Sequence, residues 1–121
     1  MVLACGGQGA TDDVVSVSMK ELNQSGQQGT ATLTARGGDT EIVVTLSAGP
    51  MKSGAIHIHY GQCGDNLGGV EHPLTNFSGE SSTTLLDGVS LRSLLNGDRA
   101  INAHNADDAS VYTACANLPT R

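Results

Sequence analysis

The chain has 121 residues with twelve acidic and six basic side chains, and its formal charge of −6 at pH 7 excludes a phosphate-binding, nucleic-acid-type surface. This length fits one domain, and no apolar run approaches the roughly 20 residues a membrane helix needs. With no Trp, one Phe and two Tyr, a core must be built from Val, Leu, Ile and Ala.

From the N-terminus, Met1-Val2-Leu3-Ala4-Cys5-Gly6 resembles the end of a bacterial lipoprotein signal, where small residues precede a cysteine that becomes lipid-modified. The alternative is a chance Ala-Cys-Gly. On the lipoprotein reading Cys5 is a lipid anchor and the Gly-rich residues 1–12 are a flexible tether. The protein then works outside the cytoplasm, in a periplasm or at a cell surface, and meets the membrane only through that anchor. Residues 13–118 form the folded domain and residues 119–121 a tail.

Alternating apolar residues predict a strand from Val14 to Met19, followed by a turn at Asn23-Gln24-Ser25-Gly26. Thr30 to Ala35 and Glu41 to Leu46 read as a hairpin around Gly37-Gly38-Asp39-Thr40. After Gly49-Pro50 comes a strand from Gly54 to Tyr60, then a long Gly-rich connection through His72-Pro73-Leu74. Ser82 to Leu86 is a further strand. Leu91 to Gly97 has helical spacing for a single turn, and Ala100 to His104 and Ser110 to Ala116 close the chain as strands. Seven or eight short strands between Gly turns predict an all-β fold, a Greek-key β-barrel or sandwich.

The strand Ala55-Ile56-His57-Ile58-His59-Tyr60 carries the chemistry. Alternation puts His57 and His59 on one face and Ile56, Ile58 and Tyr60 on the other, a metal-binding geometry on a core strand. His72 and His104 are the only other histidines, and either alone is more often a hydrogen-bonded surface or core residue than a ligand. Met51 offers a thioether near this strand, although packing is its commoner use. With Cys5 assigned to an anchor, Cys63 and Cys115 remain as an even pair for a disulfide in an oxidising compartment. Two free thiols are the alternative.

The order H-I-H, a Cys in the next loop, a loop His, a strand His near the C-terminus and then a strand Cys resembles the Cu,Zn superoxide dismutase barrel. Residues Ala55 to Leu118 are also similar to the chordin-type CHRD domain, through H-I-H-Y-G-Q-C-G, S-T-T-L-L and Y-T-A-C. The resemblance spans most of residues 14–118. It implies a dismutase-like fold with His57, His59 and His104 as copper ligands. It further implies that His72 is the histidine bridging copper to zinc, and that Cys63–Cys115 is the family disulfide.

The departures are equally specific. The family's zinc site needs two more histidines and an aspartate, and no histidine lies between His72 and His104, so that zinc site is absent. The anion-guiding arginine three residues before the last cysteine is replaced by Tyr112. The charged loop ahead of it shrinks to Asn105-Ala106-Asp107-Asp108-Ala109, and Arg99, five residues before His104, is a candidate substitute whose direction the sequence leaves open.

Four neutral imidazoles suit copper(II), copper(I) accepts a subset of them, and zinc enters when copper is lacking. Each ligand histidine needs an acceptor for its other ring N–H, with Asp65, Glu71, Asp107 and Asp108 as local candidates. The expected function is an extracytoplasmic copper-binding protein with a mononuclear four-histidine site. Alternatives are a copper-only superoxide dismutase of reduced activity, taking superoxide as substrate, and a metal-free CHRD-type adhesion module with incidental histidines. A homodimer is compatible with each.

Overall fold

The computed structural model describes residues 13–121, and its regular structure is almost entirely β. The strands are β1 (Val14–Glu21), β2 (Gly29–Arg36), β3 (Asp39–Leu46), β4 (Ser53–Gly61), β5 (Leu67–Pro73), β6 (Ser81–Leu86), β7 (Arg99–Asn105) and β8 (Tyr112–Asn117). One helical turn, α1 (Leu91–Leu94), precedes β7. The strands form a single 8-stranded antiparallel sheet in the order β5-β4-β7-β8-β1-β2-β3-β6. It curls into a half-barrel of Greek-key type: β1, β2 and β3 are hairpin neighbours, whereas the β3–β4 and β6–β7 connections cross to distant positions. The all-β expectation is met.

The two edge strands, β5 and β6, are consecutive in sequence, and the segment between them draws the sheet edges together. Leu74 N–H donates to Ile56 C=O at 3.0 Å and Phe77 N–H to Gly54 C=O at 2.9 Å, which extends the β5 edge along β4. Thr75 N–H then donates to Thr84 Oγ1 at 2.8 Å, and Ser82 Oγ donates to the Thr75 carbonyl. Backbone groups that an open edge would leave to solvent or to another chain are therefore partly answered within the molecule.

Alternation explains the core. Thr40, Ile42, Val44 and Leu46 of β3 are buried, as are Ala31 and Leu33 of β2 and Val15 and Met19 of β1. Facing them are Ile56 and Ile58 of β4, Ile101 and Ala103 of β7, and Ala114 and Ala116 of β8. Ser90 caps α1, its Oγ accepting from Ser93 N–H at 3.3 Å, and the turn delivers Leu91, Leu94 and Leu95 to the same cluster.

Strands β7 and β8 break the usual pattern. Every residue from Ala100 to His104 and from Thr113 to Ala116 is buried, so both faces are covered. One face meets the aliphatic core, and loops cover the other. That second face holds the histidines.

Strand β5 was not expected from the sequence, because Gly68-Gly69 and Pro73 read as a connection. Its edge position tolerates both, since glycine needs little packing there and proline falls on the last residue of an unshared edge. Gly61 makes the entry turn at φ +88, where a Cβ would come within 2.0 Å of the Asn66 carbonyl.

Ile58 is fully buried at the centre of β4, directly opposite Ile101 of β7. Replacing Ile58 with Ala is expected to cost about 2–5 kcal/mol of unfolding free energy, measured by urea denaturation. A change below about 1 kcal/mol would mean that this face of β4 is not the core face.

Candidate metal centre

Because Ile56 and Ile58 are committed to the core, His57 and His59 stand on the outer face of β4. On the neighbouring strand, Asn102 pairs with His57 and Ala100 with His59, so Ala100, Asn102 and His104 share that face. A register irregularity between Ala103 and His104 on β7 brings His104 opposite Tyr112 of β8.

Three imidazoles converge here. His57 Nδ1 lies 3.0 Å from His104 Nε2, and one nitrogen from each of His57, His59 and His104 falls within 4.8 Å of the others. His59 and His104 are only 5% and 6% exposed, whereas His57 is partly open at the mouth of the cluster. Tyr112 stands edge-on to His104 with ring centroids 5.0 Å apart.

The outer ring nitrogens fix the tautomers. His59 Nδ1 lies 2.9 Å from the Gly68 carbonyl and His104 Nδ1 lies 2.8 Å from the Ala109 carbonyl. A carbonyl only accepts, so both Nδ1 atoms carry the proton and both Nε2 atoms present lone pairs to the cluster. His59 Nε2 is buried and has no hydrogen-bond partner. Nitrogens bound at about 2.0–2.1 Å to one ion lie roughly 3–4 Å apart, which matches the His57–His104 spacing of 3.0 Å, and the third ring lies within 4.8 Å of both. These three histidines can hold a metal ion.

The segments that supply the carbonyls are themselves fastened. Asp108 accepts from Ser110 N–H at 3.0 Å and Ser110 Oγ at 2.6 Å, and these bonds hold its carboxyl below the usual aspartate range. This tight turn presents the Ala109 carbonyl. Cys63 and Cys115 lie at disulfide distance, Sγ–Sγ 2.05 Å and 52 residues apart, and Cys63 N–H donates to Asn117 Oδ1 at 2.7 Å. The covalent tie fastens the start of the loop that leads to Gly68 onto β8, and closing a loop of this length contributes on the order of 4 kcal/mol in the chain-entropy model.

His72 is not brought into the cluster, and the four-imidazole expectation is corrected to three among the described residues. The cause is the irregular pairing of β5 with β4, which shifts register twice. Ile58 pairs with His72 but His59 pairs with Val70, so Glu71 is an extra residue and His72 follows the Ile58 face. Its Nε2 lies 3.7 Å from Glu71 Oε1.

Arg99 also belongs to that other face. It donates from Nε to Glu71 Oε1 at 2.6 Å and from Nη2 to Glu71 Oε2 at 3.2 Å, and its guanidinium lies 4.4 Å from the centre of the Tyr60 ring. An arginine held this way is not an anion guide for the histidine face. The expected carboxylate acceptors are likewise displaced: Glu71 holds Arg99, Asp108 holds Ser110, and neither Asp65 nor Asp107 bonds a ligand imidazole. Backbone carbonyls of Gly68 and Ala109 do that work, and residue type does not reveal them. Asn102 was legible in principle, two positions before His104 on an alternating strand. Cys5 and the tether lie outside the described residues.

No family model, curated protein or solved structure matches this chain.

Burial lowers the His57 pKa from its usual 6.5, and the neighbouring His104 and His59 lower it further. A histidine depressed in the folded state contributes stability that is complete above about pH 6.5 and is lost as pH falls through the folded value. In the metal-free protein, the imidazole resonances of His57 are expected to titrate with a midpoint below 6.5. A midpoint at or above 6.5 would contradict the crowded, desolvated cluster.

Proposed function

We propose that this protein binds copper outside the cytoplasm, in a mononuclear site made by His57 Nδ1, His59 Nε2 and His104 Nε2. The observation that carries the reading is the lone pair of His59 Nε2, buried without a donor on an imidazole that clusters with two others. A buried acceptor with no partner costs free energy unless something electropositive answers it, and a cation at the cluster does so. Imidazole donors suit copper, which tops the affinity order among divalent first-row ions. When bound, copper supplies a one-electron couple.

The extracytoplasmic placement is supported by the Cys63–Cys115 pair and by the Ala4-Cys5-Gly6 string. The order of the histidines and cysteines, similar to that of Cu,Zn superoxide dismutases and CHRD domains, supports copper over other ions. Binding, storage or transfer is favoured over superoxide turnover. Tyr112 occupies the place of the anion-guiding arginine, Arg99 is engaged by Glu71, and the chain's charge of −6 repels an anionic substrate. The chain's own residues hold the ion, orient the rings through Gly68 and Ala109, and exclude water from His59 and His104.

Copper(II) titration followed by electron spin resonance tests the reading. Wild type is expected to take one ion per chain with nitrogen hyperfine structure. His59→Ala and His104→Ala should each weaken binding on the order of 10-fold or more and alter the spectrum, while His72→Ala leaves both unchanged. Absence of a specific site in wild type, or an unaltered His59→Ala, would contradict copper binding here, and a comparable loss in His72→Ala would contradict the three-imidazole set.

A further inference from the structure

Asn102 sits at the centre of β7, fully buried, paired with His57 on β4 and with Cys115 on β8. Asparagine is a poor strand former, and burying its amide is costly unless both ends are hydrogen-bonded. Only one end is. Nδ2 faces His104 Nε2 at 3.4 Å, near the outer limit for a hydrogen bond, and Oδ1 has no partner.

Among the described residues, Asn102 Oδ1 and His59 Nε2 are the buried side-chain nitrogen and oxygen atoms left without a hydrogen bond. Both are lone-pair donors, and both belong to the same face of the sheet. His59 Nε2 calls for a cation at the cluster, and Asn102 Oδ1 can answer the same ion only if the amide turns, because Nδ2 is the end that faces His104 Nε2. An amide rotated by 180° about its last torsion exchanges oxygen for nitrogen with little change in shape. That rotation puts Oδ1 where Nδ2 now stands, 3.4 Å from His104 Nε2, within the roughly 3–4 Å expected of two donors on one ion.

We propose that Asn102 is a further metal ligand, its side-chain oxygen joining the three imidazoles to make an N3O donor set. The proposal rests on the three-imidazole copper reading. In the metal-free protein His57 Nδ1 and the amide Nδ2 both approach the His104 lone pair, at 3.0 and 3.4 Å, and with an ion present the amide turns and offers oxygen instead. Amide oxygen is harder than imidazole, so the residue favours copper(II) over copper(I) and sets the preference of the site between the two states.

The test loads wild type, Asn102→Leu, Asn102→Asp and His59→Ala with copper(II), after circular dichroism has shown that each is folded. Affinity is read against a competing chelator, the site by its spin-resonance parameters, and the balance of oxidation states by reduction potential. Asn102→Leu is expected to lose affinity on the order of 10-fold or more and to show a raised potential. Asn102→Asp keeps an oxygen donor and adds charge, so it should bind more tightly than wild type. A folded Asn102→Leu with wild-type affinity, spectrum and potential would overturn the proposal while a weakened His59→Ala left the imidazole site standing. If Asn102→Leu fails to fold, an Asn102→Asp that binds more weakly than wild type overturns it. Wild-type binding in His59→Ala would overturn the imidazole reading itself.

Discussion

The commitment of Ile56 and Ile58 to the interior is the constraint on which the rest of the molecule depends. Once those two side chains are buried, the two-residue period of a strand leaves His57 and His59 no other place than the outer face. The β4–β7 register then decides what they meet. Ile58 opposite Ile101 is a core contact, and the same pairing puts Asn102 opposite His57 and carries His104 to within 3.0 Å of it. Core packing and site assembly are two faces of one registration, and a slip of one residue would destroy both.

An outer face is ordinarily wet, and a wet cluster of imidazoles would be ordinary surface. Here the loops change its character. The segment after β4 folds back so that the Gly68 carbonyl meets His59, and the segment after β7 turns at Asp108 so that the Ala109 carbonyl meets His104. The Cys63–Cys115 tie holds the first of these segments against β8. Each carbonyl orients a ring and settles its tautomer at once, and the enclosed lone pairs are thereby left facing one another in a poorly solvated space. Tyr112 closes one side against His104, and the partly open His57 marks the entrance.

Much of this was legible in the residues. The alternation in Ala55 to Tyr60 gave the shared face of His57 and His59, and Gly-punctuated apolar stretches gave seven of the eight strands. The Cys63–Cys115 pairing followed from the even count left after Cys5. What failed was strand β5, whose glycines and proline mimic a loop, and with it the position of His72. Two register shifts in β5, one of them at Glu71, put His72 on the Ile58 face, and nothing in the residue types between Leu67 and Pro73 announces the extra residues. The direction of Arg99 was open in the sequence for a related reason, since its partner Glu71 is that bulged residue. The acceptors for the ring N–H groups were invisible because they are main-chain carbonyls, one on edge strand β5 and one in a turn, set by the path of the chain rather than by side-chain identity.

The central claim is that one ion is shared by His57, His59 and His104. It is tested most directly by a crystal structure of the copper-loaded protein with anomalous scattering at the copper edge. A single peak is expected on the outer face of β4 and β7, bonded to His57 Nδ1, His59 Nε2 and His104 Nε2 at about 2.0 Å. A peak at any other position, or full loading with these three rings left unbonded, would contradict it.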